Sequence, residues 1–239
     1  MKYLDLTRPT PAENLALDEA LLDACEAGEG PPVLRFWESE RPFVVLGYAN
    51  RAAREADLEA CERAGVPVLR RASGGGTVLQ GPGCLNYTLV CRVDDAPAFA
   101  SITQTNVFIL TRHQRALQIL TGQPVRRDGD TDLTIRERKF SGNAQRRKQH
   151  ALLFHGTFLL HFDLAAAGRL LPMPLRQPHY RANRSHADFL MNLELPAAAV
   201  KAALRDVWEA HEELREPPLG RVEALVREKY SQSAWNLKF

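Results

Sequence analysis

The chain has no run of about 18 apolar residues, so no part of it reads as a transmembrane helix. Its N-terminus lacks the charged-then-apolar pattern of a secretory leader, because Asp5, Arg8 and Glu13 interrupt it. Cysteine is scarce, and Cys25, Cys61, Cys84 and Cys91 form no CxxC pair. A chain of this length without metal or disulfide-framework spacing fits a reducing compartment, and a cytoplasmic location is expected. The histidines show no HxxxH or related spacing, so no protein-held metal site is expected. The net charge is only +2, which is too little for sequence-independent binding of nucleic acid through a basic face. Neither a GxxxxGK[ST] loop nor a strand-to-helix GxGxxG is present, and no repeat or low-complexity tract occurs.

What is present is the composition of a folded protein, with 45% hydrophobic and 25% charged residues in 239. That length holds one large domain with an ample core. Thr10-Pro11-Ala12-Glu13 reads as a capped helix start, with Pro11 at the first helical position and Glu13 placed for a capping box. Leu17, Ala20, Leu21, Ala24 and Cys25 then form an apolar face that ends near Gly28. Residues 33–37 and 43–47 read as two strands across a polar turn, and 53–64 as a short helix closed by Gly65. Strands are expected at 66–70, 85–93, 124–127, 132–135 and 152–162, and helices at 105–120 and from Asp163 through Leu170. A Pro-, Arg- and His-rich loop from Pro172 to Ser185 precedes two final helices, at about 197–214 and 219–230. Strands and helices mix without regular βαβ alternation, which predicts an α+β fold with a mixed, mainly antiparallel sheet. The expected organisation is one domain over 1–239 with a helical tail from about 196 and no separate accessory domain.

Two segments carry the chemistry. The first is Arg70-Arg71-Ala72-Ser73-Gly74-Gly75-Gly76-Thr77-Val78-Leu79. Three consecutive glycines after a strand cost backbone entropy, and close approach of the backbone to a ligand explains them, with N–H groups forming an anion-binding concavity. A glycine-rich corner is the plainer reading. Strand alternation sends Arg70 and Arg71 to opposite faces. Arg71, next to the glycines, is assigned to the pocket, and Arg70 to a surface or structural pair. The second segment is Lys139-Phe140-Ser141-Gly142-Asn143-Ala144, followed by His155-Gly156-Thr157 in an apolar strand. An ammonium beside a glycine bend can donate to a carbonyl and to a phosphate at once. His155 either orders the site by hydrogen bonding or is a satisfied core histidine, whereas His113 reads as core. Asn86 is the polar contact expected from the strand after Cys84. Together these residues read as a pocket for an acidic, phosphate-bearing ligand.

At these residues the chain resembles the lipoate–protein ligase family, within the biotin/lipoate ligase group. The motifs are Asn14-Leu15-Ala16-Leu17-Asp18-Glu19-Ala20, the Arg-Arg-x-Ser-Gly-Gly-Gly-Thr-Val run, Leu85-Asn86-Tyr87, the Lys139 segment with Gln145, and His155-Gly156-Thr157. The resemblance covers roughly residues 1–165 and thins afterwards. It implies a central mixed sheet flanked by helices, and a reaction in two steps. Lipoate or octanoate and ATP, carrying Mg2+, would form an acyl-adenylate, and the acyl group would pass to a lysine of a lipoyl carrier domain. Lys139 would contact the acyl carbonyl and the phosphate, Arg71 and Gly74–Leu79 would hold the nucleotide, and apolar strand residues would line the acyl tunnel.

Longer ligases carry an accessory C-terminal domain, so a separate small accessory protein is an expected partner. No partnership with nucleic acid or membrane is expected. Related octanoyl- and lipoyltransferases use a cysteine thioester, with the cysteine just before the lysine motif or well after it. Residues 124–138 hold no cysteine and none follows Cys91, which favours the ligase. A transferase using Cys84 and a non-catalytic lipoyl-domain binding protein are the alternatives.

Overall fold

A computed structural model describes residues 1–174 and 176–239. The strands are β1 (Lys2–Asp5), β2 (Val33–Trp37), β3 (Phe43–Leu46), β4 (Val68–Arg70), β5 (Val78–Gln80) and β6 (Cys84–Arg92). After these come β7 (Arg126–Asp128), β8 (Asp132–Ile135), β9 (Arg138–Arg147), β10 (Ala151–Leu159) and β11 (Glu212–Glu213). The helices are α1 (Pro11–Glu26), α2 (Ala52–Glu55), α3 (Leu58–Arg63), α4 (Ile102–Thr121), α5 (Leu164–Leu170), α6 (His186–Phe189), α7 (Ala197–Val207), α8 (Leu219–Leu225) and α9 (Ser233–Asn236).

Eight strands form one sheet in the order β11-β1-β2-β6-β10-β9-β8-β7, parallel at β11-β1-β2 and antiparallel elsewhere. The strands β2 and β6 and the first half of β10 are buried almost throughout, as central strands covered on both faces must be. On one face α1 packs over Val33, Val90 and Leu153. On the other, α4 and α7 cover Leu34, Leu89, Leu152 and Phe154. A three-stranded sheet, β4-β3-β5, stands beside this layer and carries the glycine run between β4 and β5. The α+β fold with a mainly antiparallel sheet between helices is therefore present. Among the described residues no helix is long and apolar enough to cross a membrane.

Local signals account for most of the elements. The α1 capping box forms as the spacing requires: Glu13 N–H donates to Thr10 Oγ1 at 3.2 Å, and Thr10 N–H donates to Glu13 Oε2 at 3.0 Å. Asp163 caps α5 through the N–H groups of Ala165 and Ala166. Gly122 closes α4 in the left-handed conformation.

Four expectations are corrected. Residues 53–64 form two short helices, because Ala56 is extended and Asp57 starts α3 by capping Ala60 N–H. The strands β2 and β3 do not pair as a hairpin; they belong to different sheets. The lysine segment lies within β9, a ten-residue strand paired on both sides, rather than at an isolated glycine bend. The first tail helix stops at Val207, and Glu212–Glu213 pairs with β1 as a parallel strand.

His113 on α4 is a core group. Trp208 Nε1–H donates to its Nε2 at 2.8 Å, and its ring stands edge-on to Tyr87 with centroids 4.8 Å apart. Burial lowers its pKa from 6.5 to about 3, so the fold demands the neutral form. The unfolded chain then takes up the proton first. His113 costs no stability above about pH 6.5 and withdraws it progressively as pH falls toward about 3. Urea unfolding at a series of pH values is expected to show this decline, and His113→Gln, which keeps an acceptor for Trp208, to flatten it.

Candidate active site

The glycine run is folded by one side chain. Arg71 donates from Nε to Ser73 Oγ at 3.0 Å and to the Gly74 carbonyl at 3.1 Å. Its Nη2 donates to the carbonyls of Gly74 at 2.6 Å and Gly76 at 2.8 Å. Burial lowers its pKa to about 10, which leaves it charged at neutral pH. With the carbonyls drawn to the guanidinium, the N–H groups of Gly74, Gly75, Gly76 and Thr77 have no acceptor among the described residues. Gly75 has φ +87°, and a Cβ there would stand 2.9 Å from Arg71 Nη2 and 3.3 Å from Ala144 Cβ. The glycine loop therefore lies against β9.

The antiparallel register of β10 sets the opposite wall. It places His155 beside Ala144, Gly156 beside Asn143 and Thr157 beside both Gly142 and Asn86. Lys139 leans back over Gly142, where an added Cβ would lie 2.7 Å from its Cε and Nζ and would displace the end of this side chain. Its ammonium pairs with Asp132 Oδ1 at 2.8 Å, and Tyr180 OH donates to the other carboxylate oxygen at 2.7 Å. Asn143 is held by Tyr87 OH, which donates to its Oδ1 at 2.6 Å, while Asn143 Nδ2 donates to the Thr131 carbonyl at 2.7 Å. Gln80 Nε2 donates to Thr157 Oγ1 at 2.7 Å, and Thr157 donates on to Asn86 Oδ1 at 2.6 Å.

These walls enclose a cavity of about 760 Å³. Every residue expected at the site lines it except Ser73. Apolar side chains, among them Leu15, Trp37, Val45, Leu159, Phe162 and Leu171, form a further part of its lining, and Asp18, Asp130, Asp132 and Arg181 also face it. Ser73 is 1% exposed and stands behind the wall, on a hollow of about 10 Å³ shared with Arg71, His155 and Asp18. Arg70 is buried rather than at the surface. It donates to the carbonyls of Gly47, Tyr48, Asn50 and Trp235, and so ties the C-terminal segment to the glycine loop.

A buried polar chain runs from Ser73 into α1. Ser73 Oγ lies 2.6 Å from His155 Nε2, and His155 Nδ1 faces Asp18 Oδ2 at 3.6 Å. Arg35 Nη1 donates to Asp18 Oδ1 at 2.5 Å, and Arg35 Nη2 donates to Asn14 Oδ1 at 2.7 Å. Burial lowers the pKa of His155, opposed by the Asp18 carboxylate. The neutral ring then turns Nδ1–H toward Asp18 and accepts from the serine hydroxyl at Nε2. Burial alone would raise the pKa of Asp18, but Arg35 and His155 hold it below the ordinary carboxylate value. Burial weakens the hold of Arg35 on its proton, and the Asp18 carboxylate opposes that effect. This is Ser-His-Asp geometry without an exposed nucleophile, so its effect is to orient the loop.

Asp18, Asp132 and Tyr180 were not singled out in the sequence. Asp18 had a signal, a carboxylate four residues after Asn14 on the face that α1 buries. Asp132 opens an otherwise uncharged strand, which is a weaker cue, and Tyr180 lies in a loop with no periodicity to place it.

The geometry can be set beside known proteins. The family model described as "Lipoyl protein ligase A/B catalytic domain" matches residues 10–206. The octanoyltransferase LipM of Carboxydothermus hydrogenoformans is 29% identical, over 100% of this chain and 98% of its own. A crystal structure of lipoate-protein ligase A bound with ATP superposes with a TM-score of 0.85 at 26% identity, covering 99% of this chain and 98% of that one. The bi-partite lipoate protein ligase of Thermoplasma acidophilum, studied with its E2 lipoyl domain, gives a TM-score of 0.84 at 26% identity, over 99% and 95% of the two chains.

The ion pair beneath the loop is testable by stability alone. Asp18→Asn leaves the Arg35 guanidinium buried without its counter-charge, and breaking such a pair costs about 3–5 kcal/mol. Urea denaturation at pH 7 is expected to show a loss of that size, whereas Glu212→Gln, which removes the solvent-exposed ion pair with Lys2, is expected to leave the midpoint unchanged.

Proposed function

The chain belongs to the lipoyl protein ligase A/B catalytic domain family, and from that membership we propose that it is an ATP-dependent lipoate or octanoate protein ligase. In this reading one catalytic domain activates the acid as an acyl-adenylate and passes the acyl group to a lysine of a lipoyl carrier domain, in the cytoplasm. The observation that carries the proposal is a single cavity in which an ammonium and a run of unpartnered peptide N–H groups meet apolar walls.

Lys139 and the Gly74–Thr77 amides would bind the phosphate and the acyl carbonyl, where negative charge builds as carboxylate oxygen attacks the α-phosphorus and pyrophosphate leaves. Fixed donors need no reorganisation at that moment, which is why Lys139 is best kept on a rigid strand. Asp132, which pairs with Lys139, and Asp130 are carboxylates on that wall that would meet the hydrated Mg2+ brought by the nucleotide. The leucine, valine and phenylalanine side chains would take the acyl chain. The carrier lysine then attacks the acyl carbon, an amide forms and AMP departs, without a nucleophile from this chain. The bi-partite relative supports a lipoyl domain as acceptor and a separate accessory polypeptide as partner.

The octanoyltransferase relative favours a second reading, acyl transfer through a cysteine. The cysteines here speak against it. All four are buried; Cys84 is 0% exposed, does not line the cavity, and burial pushes its thiol up to about 12. A thiol in that state supplies almost no thiolate at neutral pH.

Purified protein with lipoate or octanoate, ATP and Mg2+ is expected to catalyse acid-dependent ATP–pyrophosphate exchange. Lys139→Ala is expected to lower the exchange rate by about a hundredfold or more; a variant that exchanges like wild type overturns the assignment. Cys84→Ser is expected to keep exchange and carrier acylation within about twofold, since the thiol is sealed. An acyl adduct on the wild-type enzyme that hydroxylamine removes, and that Cys84→Ser lacks, would establish the transferase instead.

A further inference from the structure

Arg181 is a buried charged side chain of the cavity lining with a donor that nothing among the described residues meets. It is 5% exposed and lines the cavity, on the turn between Pro178 and the helix α6. Its Nε–H donates to the Arg184 carbonyl at 3.1 Å, and its guanidinium lies over the Phe189 ring, 4.7 Å from the centroid. These two contacts fix the plane of the group. Among the described residues, nothing accepts from Nη2, which is closed off from solvent, nor from Nη1, which is the nitrogen left within reach of an anion in the cavity. Arg70 also leaves an Nη2 unmet, but it spends its other nitrogens on four carbonyls and is absent from the cavity wall. Arg35, by contrast, has every nitrogen partnered.

The surroundings of Arg181 are positive. The residue before it, Tyr180, donates to one oxygen of Asp132 while Lys139 holds the other, so that carboxylate is engaged at both oxygens before any contact with Arg181. The wall is also tied together: Met191 N–H donates to the Lys139 carbonyl at 2.9 Å, which joins the segment after α6 to the start of β9. Burial lowers the pKa of Arg181, as expected for a guanidinium sheltered without full compensation. A planar guanidinium fixed at its Nε side presents its remaining N–H groups in the fork that matches two oxygens of a tetrahedral phosphate.

We propose that Arg181 binds a phosphate oxyanion in this cavity, as a second cationic anchor beside Lys139. That the anion is the polyphosphate of the nucleotide rests on the ligase reading above; that it is a phosphate oxyanion rests on the guanidinium alone.

The test is calorimetric titration of the full chain with sodium pyrophosphate and, separately, with MgATP, for wild type, Arg181→Gln and Arg181→Lys. The expected result is binding of both by wild type, weakened at least tenfold in Arg181→Gln and less in Arg181→Lys, with octanoate binding within twofold in all three. Unchanged pyrophosphate and MgATP binding in Arg181→Gln, or no binding of either by wild type, overturns the proposal. Should the substitutions unfold the chain, 15N spectra of the wild-type guanidinium groups decide: pyrophosphate shifts the Arg181 resonances, and their indifference to it overturns the proposal. Pyrophosphate binding that depends on Arg181, in a protein with no acid-dependent ATP–pyrophosphate exchange, refutes the ligase reading and leaves the anion site standing. Exchange with an unchanged KM for ATP in Arg181→Gln does the reverse.

Discussion

The site depends on one guanidinium turned inward onto a run of glycine carbonyls. The C=O and N–H of a trans peptide point opposite ways, so a carbonyl held by a cation turns its N–H outward, and Arg71 holds the carbonyls of Gly74 and Gly76 together. Its charge is thereby used to build the cradle, whose outward N–H groups stand on the same cavity as Lys139. Glycine is what makes this affordable, since Gly75 takes a left-handed backbone and sits too close to Arg71 and Ala144 for any side chain.

The cradle is then fixed from behind. Arg71, Ser73, His155, Asp18 and Arg35 form one buried polar series from the loop, through the central strand β10, into α1 and β2. Such a series is costly unless every member is met, and each hydrogen bond then constrains the next. The loop is thus positioned by the most deeply packed part of the sheet. Binding energy need not be used to order it, which is the condition for amides to stabilise charge as it develops.

Much of this was legible in the residues. The capping box at Thr10, the left-handed Gly122 and the Asp163 cap are local devices, decided within a few residues, and they lie where the sequence places them. The glycine run and the lysine segment announce an anion site because each pairs a cation with a backbone free of side chains. What stayed hidden was non-local. The β8–β9 hairpin turns at Arg136 and Glu137, both with positive φ, where the expected signal is Asn-Gly, so the strand bearing Lys139 could not be read from its turn. Nor does periodicity reveal that β2 and β3 part into separate sheets, because each is buried at every position and neither alternates. The role of Arg71 was only half legible. Alternation sends it to the pocket side, but which acceptors it meets depends on how the loop folds over it.

One detail at the rim of the large sheet reaches beyond the site. The two residues Glu212 and Glu213 lie along β1, with Lys2 and Glu212 paired at 2.7 Å, and the opposite border is the three-residue charged strand β7. Short, charged margins of this kind offer no template on which an incoming extended segment could add itself. Main-chain zippering of another extended segment onto this large sheet, from a stranger or from a copy of itself, is therefore disfavoured at both of its borders.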